Sequence, residues 1–243
     1  VNMAQSSNDV IPTASHLAVA KVINDELLPA LAEAQGTLAA KASAFWDIIK
    51  TGRTHLQDAT PIRLGQEFLG YTGQLELAGT RARTALAELS VLALGGTAVG
   101  TGIGMHPEFS SRVIVRLREL TGLDLSETTN HFQAQSTLDA VVAASGQLKS
   151  IAVGLLKIAN DLRWLGSGPR AGIGEITLPE VQPGSSIMPG KVNPVMSEAM
   201  MMVCARVMGN HTTITVAGSR GNFELNVMMP VLAQALLESI TLL

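Results

Sequence analysis

Aromatic side chains, charged side chains and cysteine are all scarce in this sequence. Aromatic residues make up 3% and charged residues 15% of its 243 positions, whereas hydrophobic residues make up 47%. So few charges would cover the surface of a monomer poorly, and we therefore expect several helix faces to be buried between the subunits of an oligomer. The single cysteine, Cys204, excludes an internal disulfide. We expect it to pack as a small hydrophobe in a protein of a reducing compartment, the cytoplasm.

The sequence also lacks the features that several classes of partner require. The net charge is -3, and there are no blocks of lysine and arginine such as nucleic acid or an anionic membrane would require. The longest uncharged stretch, residues 89–107, is interrupted by five glycines and is a poor membrane helix. Neither the histidines nor the lone cysteine have metal-ligand spacing. We expect no nucleic acid, no membrane, no metal and no cofactor.

Two long helices are predicted from the spacing of apolar residues, which alternates between four and three as on one face of a helix. The first stripe comprises Leu64, Phe68, Tyr71, Leu75, Ala78, Ala82, Ala85, Leu89 and Leu92. The second comprises Leu138, Val141, Ser145, Leu148, Ala152, Leu155, Ala159 and Leu162. Glycines after residue 94 should end the first helix, and a short amphipathic helix is predicted around residues 113–120. No strand of useful length and no repeat is predicted, so the fold class is all-α, a bundle of long helices.

Both ends of the sequence suggest expectations of their own. Asn8 and Asp9 should begin a helix with Pro12 in its first turn, and Pro29 should kink that helix. No secretion or transit signal precedes it, and residues 233–243 resemble an unfinished helix. We therefore expect the sequence to be part of a longer chain.

A loop is predicted at residues 184–193, here called the serine loop, directly before a helix. Asn193 is expected to cap that helix, with Pro194 at its first position. The unpaired amides of a helix N-terminus carry partial positive charge, to which Lys191 adds a full charge. Such a site would suit a dicarboxylate or another anion. An ordinary capped helix beside a solvated lysine fits the same pattern, and spacing alone does not separate the two interpretations.

Two further segments are more polar than a packed helix requires, and each lies beside a predicted helix end. They are residues 6–9, Ser-Ser-Asn-Asp, and residues 51–58, Thr-Gly-Arg-Thr-His-Leu-Gln-Asp. Plain helix capping would explain the first of them. His55, in the second, could equally be a structural histidine.

Taken together, the three segments resemble the fumarase and aspartase superfamily. GSSIMPGKVNP at 184–194 is similar to its characteristic loop, and SSNDVIPTA at 6–14 and TGRTHLQDATP at 51–61 are similar to its other two active-site regions. The resemblance spans essentially the whole chain and is greatest to the class II fumarases. Aspartases typically have Gln and Ala where this sequence has His55 and Gly190. Argininosuccinate and adenylosuccinate lyases usually carry bulkier or charged residues in place of Gly190 and Val192.

The resemblance implies a fold and an assembly. Residues 1–243 would form the family's central helical domain, and its N-terminal domain and small C-terminal domain would lie outside this sequence. The long helices would form the core of a homotetramer. Each active site would draw its three segments from three different subunits.

The resemblance also implies an activity, the reversible hydration of fumarate to malate in the tricarboxylic acid cycle. Ser185 would take the carbon-bound proton, assisted by Lys191, and His55 would handle the water molecule, paired with Glu198. Alone, Glu198 could also be a surface charge that complements a helix dipole. Substrate contacts would come from these residues: Ser6, Ser7, Asn8, Thr54, Ser186, Lys191, Val192 and Asn193.

Three other functions share some features with this sequence. An aspartate ammonia-lyase would use the same serine loop, and His55 and Gly190 argue against it. A dinucleotide-binding protein is suggested only by the glycines near residue 100, which lack a strand–helix–strand context. A helical protein that has lost catalysis is disfavoured by the intact Ser185, Lys191 and Asn193.

Overall fold

The two predicted long helices are present in the computed structural model, which describes residues 3–243. They are α3 (Leu64–Leu89) and α6 (Asp139–Leu165). All nine residues of the first predicted stripe are buried, although Leu92 lies beyond the end of α3. Most of the second stripe is buried as well, while Leu155 and Leu162 are half-buried and pack against the core. The three- and four-residue spacing therefore identified the core faces correctly.

A helical segment with a widened turn precedes α3. α1 (Ser7–Val22) passes into a π-helical segment (Ile23–Leu27) and then into α2 (Leu28–Ala44), with Pro29 in the first turn of α2. Proline has no N–H, and in a regular α-helix its ring would collide with the carbonyl four residues earlier. A kink was predicted at Pro29, and the helix has a π-helical turn immediately before this residue.

The remaining long helices complete the bundle. α7 (Val195–Gly218) packs against α6 on one side and α8 (Met229–Leu242) on the other, while α3 packs against both α2 and α6. The expected all-α bundle is confirmed. Cys204 on α7 is fully buried in this core, and burial raises the pKa of its thiol to about 11. It packs as the small hydrophobe that the sequence predicts.

One prediction about the backbone was wrong, because a β-hairpin stands between α2 and α3. β1 (Ile49–Thr54) pairs antiparallel with β2 (Gln57–Arg63), with a register irregularity between Thr51 and Arg53. Most of β2 is exposed and no residue of either strand is fully buried, so the strands lack the alternation of apolar and polar residues that would have revealed them.

Short elements connect α3 to α6. β3 (Val91–Leu92) pairs in parallel with β4 (Ser126–Glu127), α4 (Phe109–Thr121) lies between them, and the short α5 (His131–Ser136) follows. The predicted short helix at 113–120 is thus confirmed and longer than expected. Residues 93–104, here called the glycine loop, lie between β3 and α4.

One described helix, α6, is long and apolar enough to cross a membrane on length and composition alone. That test is weak for a single helix, since core helices of bundles pass it too. α6 packs between α3 and α7, which is the position of a core helix.

Candidate active site

The first predicted binding segment lies at the N-terminus of α1, and its cap differs from the predicted one. Ser6, rather than Asn8 or Asp9, is the cap: its hydroxyl accepts from the Asn8 amide at 3.1 Å. Asp9 in turn accepts from the Ser6 amide at 3.0 Å, which completes a capping box. Ser7 is exposed, and Asn8 is half-buried. The three polar residues therefore surround the positive end of a helix.

A single carboxylate fixes this helix end to the glycine loop. Asp9 is fully buried, and its second oxygen accepts from the amides of Gly95 and Thr97, both at 3.1 Å. The Asn8 side-chain amide donates to the carbonyl of Ala98 at 2.7 Å. Ser6, Ser7 and Asn8 thus stand on a rigidly bonded base.

The second predicted segment forms the tip of the β-hairpin. Thr54 pairs with Gln57, so His55 and Leu56 are the two turn residues, and both have positive φ, 56° and 58°. Two-residue hairpin turns with this conformation favour asparagine and glycine, and other side chains are strained there. Thr54 and His55 are exposed, and within residues 3–243 neither side chain has a hydrogen-bond partner. The turn presents His55 outward from the chain.

Ion pairs hold the hairpin against the bundle. Lys50 lies 2.6 Å from Glu67 on α3 and 2.8 Å from Glu175, and Arg53 lies 2.7 Å from Glu175. The Lys50 side chain is only 6% exposed, so these charges attract one another in a poorly solvated environment. Although burial raises the pKa of Glu175, hydrogen bonds from Arg53 and Lys50 outweigh it and hold that pKa below its ordinary value.

The third predicted segment, the serine loop, closes on itself. Amides of Met188 and Lys191 donate to the carbonyls of Ser185 and Met188 at 3.3 and 3.2 Å. A Cβ added to Gly184 would lie 2.4 Å from the Lys191 carbonyl oxygen, so only glycine allows the two ends of the loop to approach this closely. The loop thus closes where Gly184, the neighbour of Ser185 in the sequence, meets the Lys191 carbonyl.

The end of the serine loop differs from its predicted cap. α7 begins at Val195 with Pro194 as its N-cap, and no side chain caps it. Asn193 contributes its carbonyl, which accepts from the Val195 amide at 2.9 Å. The prediction of an Asn193 cap was wrong by one residue. The Val195 amide, which a capping Asn193 side chain would have bound, is bound instead by the Asn193 backbone carbonyl. Within residues 3–243 no side chain accepts from the first-turn amides of α7, and an anion site requires such free amides.

The predicted residues in and after this loop differ in exposure. Ser186, Lys191 and Val192 are exposed, whereas Ser185, Asn193 and Glu198 are half-buried. Glu198 lies in the first turn of α7, and its amide donates to the Pro194 carbonyl at 3.1 Å. Its side chain therefore begins in the first turn of α7, at the positive end of the helix dipole.

Within one chain the three predicted segments remain separate. No hydrogen bond or ion pair among residues 3–243 joins one of them to another. A groove of about 460 Å³ between α2, α3, α6 and α7 is lined mostly by apolar residues, with Glu33, Thr37 and Ser197 among them, and by none of the predicted site residues. Among the described residues no three His, Cys, Asp or Glu side chains are grouped so as to hold a metal ion.

Sequence reasoning missed the residues that support these segments. Asp9 was assigned to capping, and its bonds to the glycine loop span more than eighty positions. Arg53 and Glu175 are 122 positions apart. The Ser-x-x-Asp spacing of a capping box was the one available signal for Asp9, and no local pattern links Arg53 to Glu175.

A family profile and individual relatives were found to be similar to this chain. A family profile described as lyase matches residues 1–209. The class II fumarate hydratase of Neisseria meningitidis is 58% identical over 243 residues, which are 100% of this chain and 53% of that protein. The class II fumarate hydratase of Methylorubrum extorquens is 56% identical over 242 residues, 100% of this chain and 51% of that protein.

A solved structure agrees in its backbone. The class II fumarase from Schistosoma mansoni superposes with a TM-score of 0.97 at 41% identity, over 99% of this chain and 53% of that one. The chain thus spans about half the length of the relatives it matches.

Proposed function

The chain belongs to the lyase family, and from this membership we propose that it is the central part of a class II fumarate hydratase, which interconverts fumarate and malate. The observation that carries the proposal is the serine loop, which holds Ser185 and Lys191 on one tightly closed segment directly before the N-terminus of α7, where no described side chain caps the helix. A hydroxyl, an ammonium group and free amides suit a small dicarboxylate.

We propose that the complete site forms between three subunits of a homotetramer. Support comes from the separation of the three segments within one chain. It comes also from apolar side chains that the long helices leave exposed, among them Leu77 on α3, Val153 on α6 and Met202 on α7, each more than half exposed. Isolated chains rarely leave so many on packed helices, and subunit contacts would cover them.

Malate dehydration requires a proton to leave the carbon next to a carboxylate, which concentrates negative charge on that carboxylate. In the proposed mechanism Ser185, as its alkoxide, accepts this proton. The ammonium group of Lys191 and the amides of α7 stabilise both the alkoxide and the doubly charged intermediate. Asn193 and Val192 contact the substrate carboxylate beside them.

The hydroxyl group leaves in the second step. His55, paired with Glu198 of another subunit, donates the proton with which the hydroxyl departs as water. The carboxylate partner would orient the imidazole and fix its tautomer. Ser6, Ser7 and Asn8 on their fixed base, with Thr54 and Ser186, hold the substrate by hydrogen bonds. No metal or cofactor takes part in these steps.

Aspartate ammonia-lyase is the second candidate, because it would abstract an equivalent proton with the same loop. The experiment mixes the full natural chain separately with malate and with aspartate and follows fumarate by its ultraviolet absorbance. A rise with malate alone is expected. A rise with aspartate alone would reject the hydratase, and no rise with either would reject both lyases.

The proposed setting of this reaction is the tricarboxylic acid cycle in the bacterial cytoplasm or the mitochondrial matrix. Relatives of both kinds match, since a mitochondrial fumarate hydratase of Rhizopus oryzae is 55% identical to this chain. The tetramer is tested by light scattering of the purified protein, in which a monomer at assay concentration would reject the shared site.

A further inference from the structure

Among residues 3–243, one ion pair attaches the hairpin that carries Thr54 and His55 near its tip. At its base, the Leu64 amide donates to the Ile48 carbonyl at 2.9 Å, and the Gly65 amide donates to the Phe45 carbonyl at 3.0 Å. Farther along β1, Arg53 is bound by the Glu175 carboxylate at 2.7 Å. Arg53 is two residues from His55, so this contact is the attachment closest to the predicted catalytic histidine.

Glu175 is itself held in place by the end of α6. Its amide donates to the Leu165 carbonyl at 2.8 Å, and the neighbouring Gly174 amide donates to the Ser167 carbonyl at 2.9 Å. The Ser167 hydroxyl closes the same turn by accepting from the Ile173 amide at 3.0 Å. The carboxylate therefore projects from a turn that is bonded to the longest helix of the bundle.

We propose that Glu175 is a positioning residue for catalysis, which sets the orientation of His55 by clamping β1 through Arg53 and Lys50. The proposal rests on the proposed function, since it assigns Glu175 a role in the same site. Among residues 3–243 the Glu175 carboxylate bonds Arg53 and Lys50 and none of the predicted reacting groups, so in its own chain it acts through the strand.

The conformation of the tip explains why such a clamp is needed. His55 and Leu56 both occupy the left-handed region, which is unfavourable for residues other than glycine and asparagine. A strained turn persists only where its surroundings fix it. Within residues 3–243 the side chains of Thr54 and His55 make no hydrogen bond, so the restraint has to come through the strand.

The clamp remains charged under working conditions. Lys50 is almost fully buried between Glu67 and Glu175, and the pKa of Glu175 lies below its ordinary value because hydrogen bonds from Arg53 and Lys50 outweigh the effect of burial. The carboxylate is therefore ionised throughout the neutral range, and the clamp does not open as pH changes there.

The test replaces Glu175 with glutamine, which keeps the size of the side chain and removes its charge. In the full natural chain we expect Glu175→Gln to lower kcat for malate about 10- to 100-fold with little change in KM, because a small displacement of a catalytic group has effects of this size. Amides of residues 51–57 should exchange with deuterium at least about tenfold faster. Glu119→Gln is the matched control, since it removes an Arg–Glu pair of the same 2.7 Å length on the surface of α4, and it should change neither value.

Each outcome decides the proposal. Faster exchange together with a lower kcat supports it. If Glu175→Gln does not fold, Arg53→Gln is the second variant: it breaks the same ion pair from the hairpin side and should reproduce both effects. An unchanged kcat overturns it, with or without faster exchange. If the unsubstituted protein does not dehydrate malate, the hydratase assignment fails instead, and the exchange of residues 51–57 still shows whether Glu175 clamps the hairpin.

Discussion

The glycine loop and the serine loop are both glycine-containing connections without regular structure, yet they are held very differently. Residues 92–97 are buried, and side chains from two helices bond the glycine loop: Asp9 to two amides, Asn8 to one carbonyl, and Gln135 and His131 to two more carbonyls. The serine loop is mostly exposed. Among residues 3–243 no side chain bonds it, and two backbone hydrogen bonds close it.

The difference indicates that the two loops have different roles in the proposed site. The glycine loop supports the end of α1, so Ser6, Ser7 and Asn8 are in place before any substrate arrives. The serine loop has few bonds to break, so it can adjust around a substrate or a neighbouring subunit. The proposed binding groups are thus preorganised, while the proposed base is carried by a weakly held segment.

The largest expected effect is the loss of turnover in Ser185→Ala. Removing the proposed base should lower malate dehydration by about 10²- to 10⁴-fold. The melting temperature should not change, because the hydroxyl makes no hydrogen bond among the described residues. Absorbance assays and a thermal melt measure the two quantities. Full turnover in the variant would remove Ser185 from the mechanism.

Asp9→Ala should have the opposite signature, a large loss of stability. It leaves the buried amides of Gly95 and Thr97 without an acceptor, and we expect the free energy of unfolding to fall by about 2–4 kcal/mol. Urea denaturation measures it. Asp124→Ala is the control, because that side chain is fully exposed, and its change should stay below about 0.5 kcal/mol. Equal losses in both variants would contradict the anchoring role of Asp9.

Gly184→Ala should separate the shape of the serine loop from its chemistry. The new Cβ would collide with the Lys191 carbonyl, so the two ends of the loop must separate, and the backbone that carries Ser185 must shift. We expect turnover to fall about tenfold, with little change in melting temperature. Gly36→Ala is the control: it lies within α2 with nothing within 4 Å of its added Cβ, and it should stabilise the helix by up to about 1 kcal/mol without affecting turnover. Undiminished turnover in Gly184→Ala would show that the close approach is unnecessary.

The smallest expected effect is a dependence of stability on pH near the glycine loop. His16 is buried and bonds the Val91 carbonyl at 2.9 Å. Burial lowers its pKa below 6.5, against smaller opposing effects of backbone hydrogen bonds. Since the unfolded chain then binds the proton more readily, this contribution is complete above pH 6.5 and is lost as the pH falls toward the folded-state pKa.

Urea midpoints at about pH 7.5 and about pH 5.5 measure this effect. His16→Gln should reduce the difference between the two midpoints without abolishing it, because His211, whose pKa burial also lowers, contributes in the same direction. An unchanged difference would exclude His16 as a source.

The bundle could be predicted from the sequence because its helices repeat apolar residues on one face over many turns. Leu64 to Leu89 is such a case, and every predicted contact residue in it is buried. The hairpin could not be predicted in this way. Its faces are both partly solvated, and its turn residues, His55 and Leu56, are not those that two-residue turns favour.

Of the candidate site, the sequence indicates the three segments and the residues in them, through their joint resemblance to one superfamily. It does not indicate what supports them. Asp9 bonds backbone amides and Glu175 bonds the Arg53 side chain, both distant in sequence, and such contacts exist only after the helices have packed. The Asn193 cap was a local prediction, and a one-residue difference in backbone path was enough to make it wrong.

The π-helical turn at Ile23–Leu27 has a consequence for chain length. It contains one residue more than a regular helix would need to cover the same rise. Deleting that surplus residue would restore an ordinary helix and leave α1 in nearly the same position relative to α2. A one-residue deletion in the regular part of α1 after Asp9 would instead rotate Asp9 by about 100° and draw it back by about 1.5 Å, so Asp9 would point away from Gly95 and Thr97. Natural variants of this domain are therefore expected to change length between Asp9 and Pro29 only at the π-helical turn.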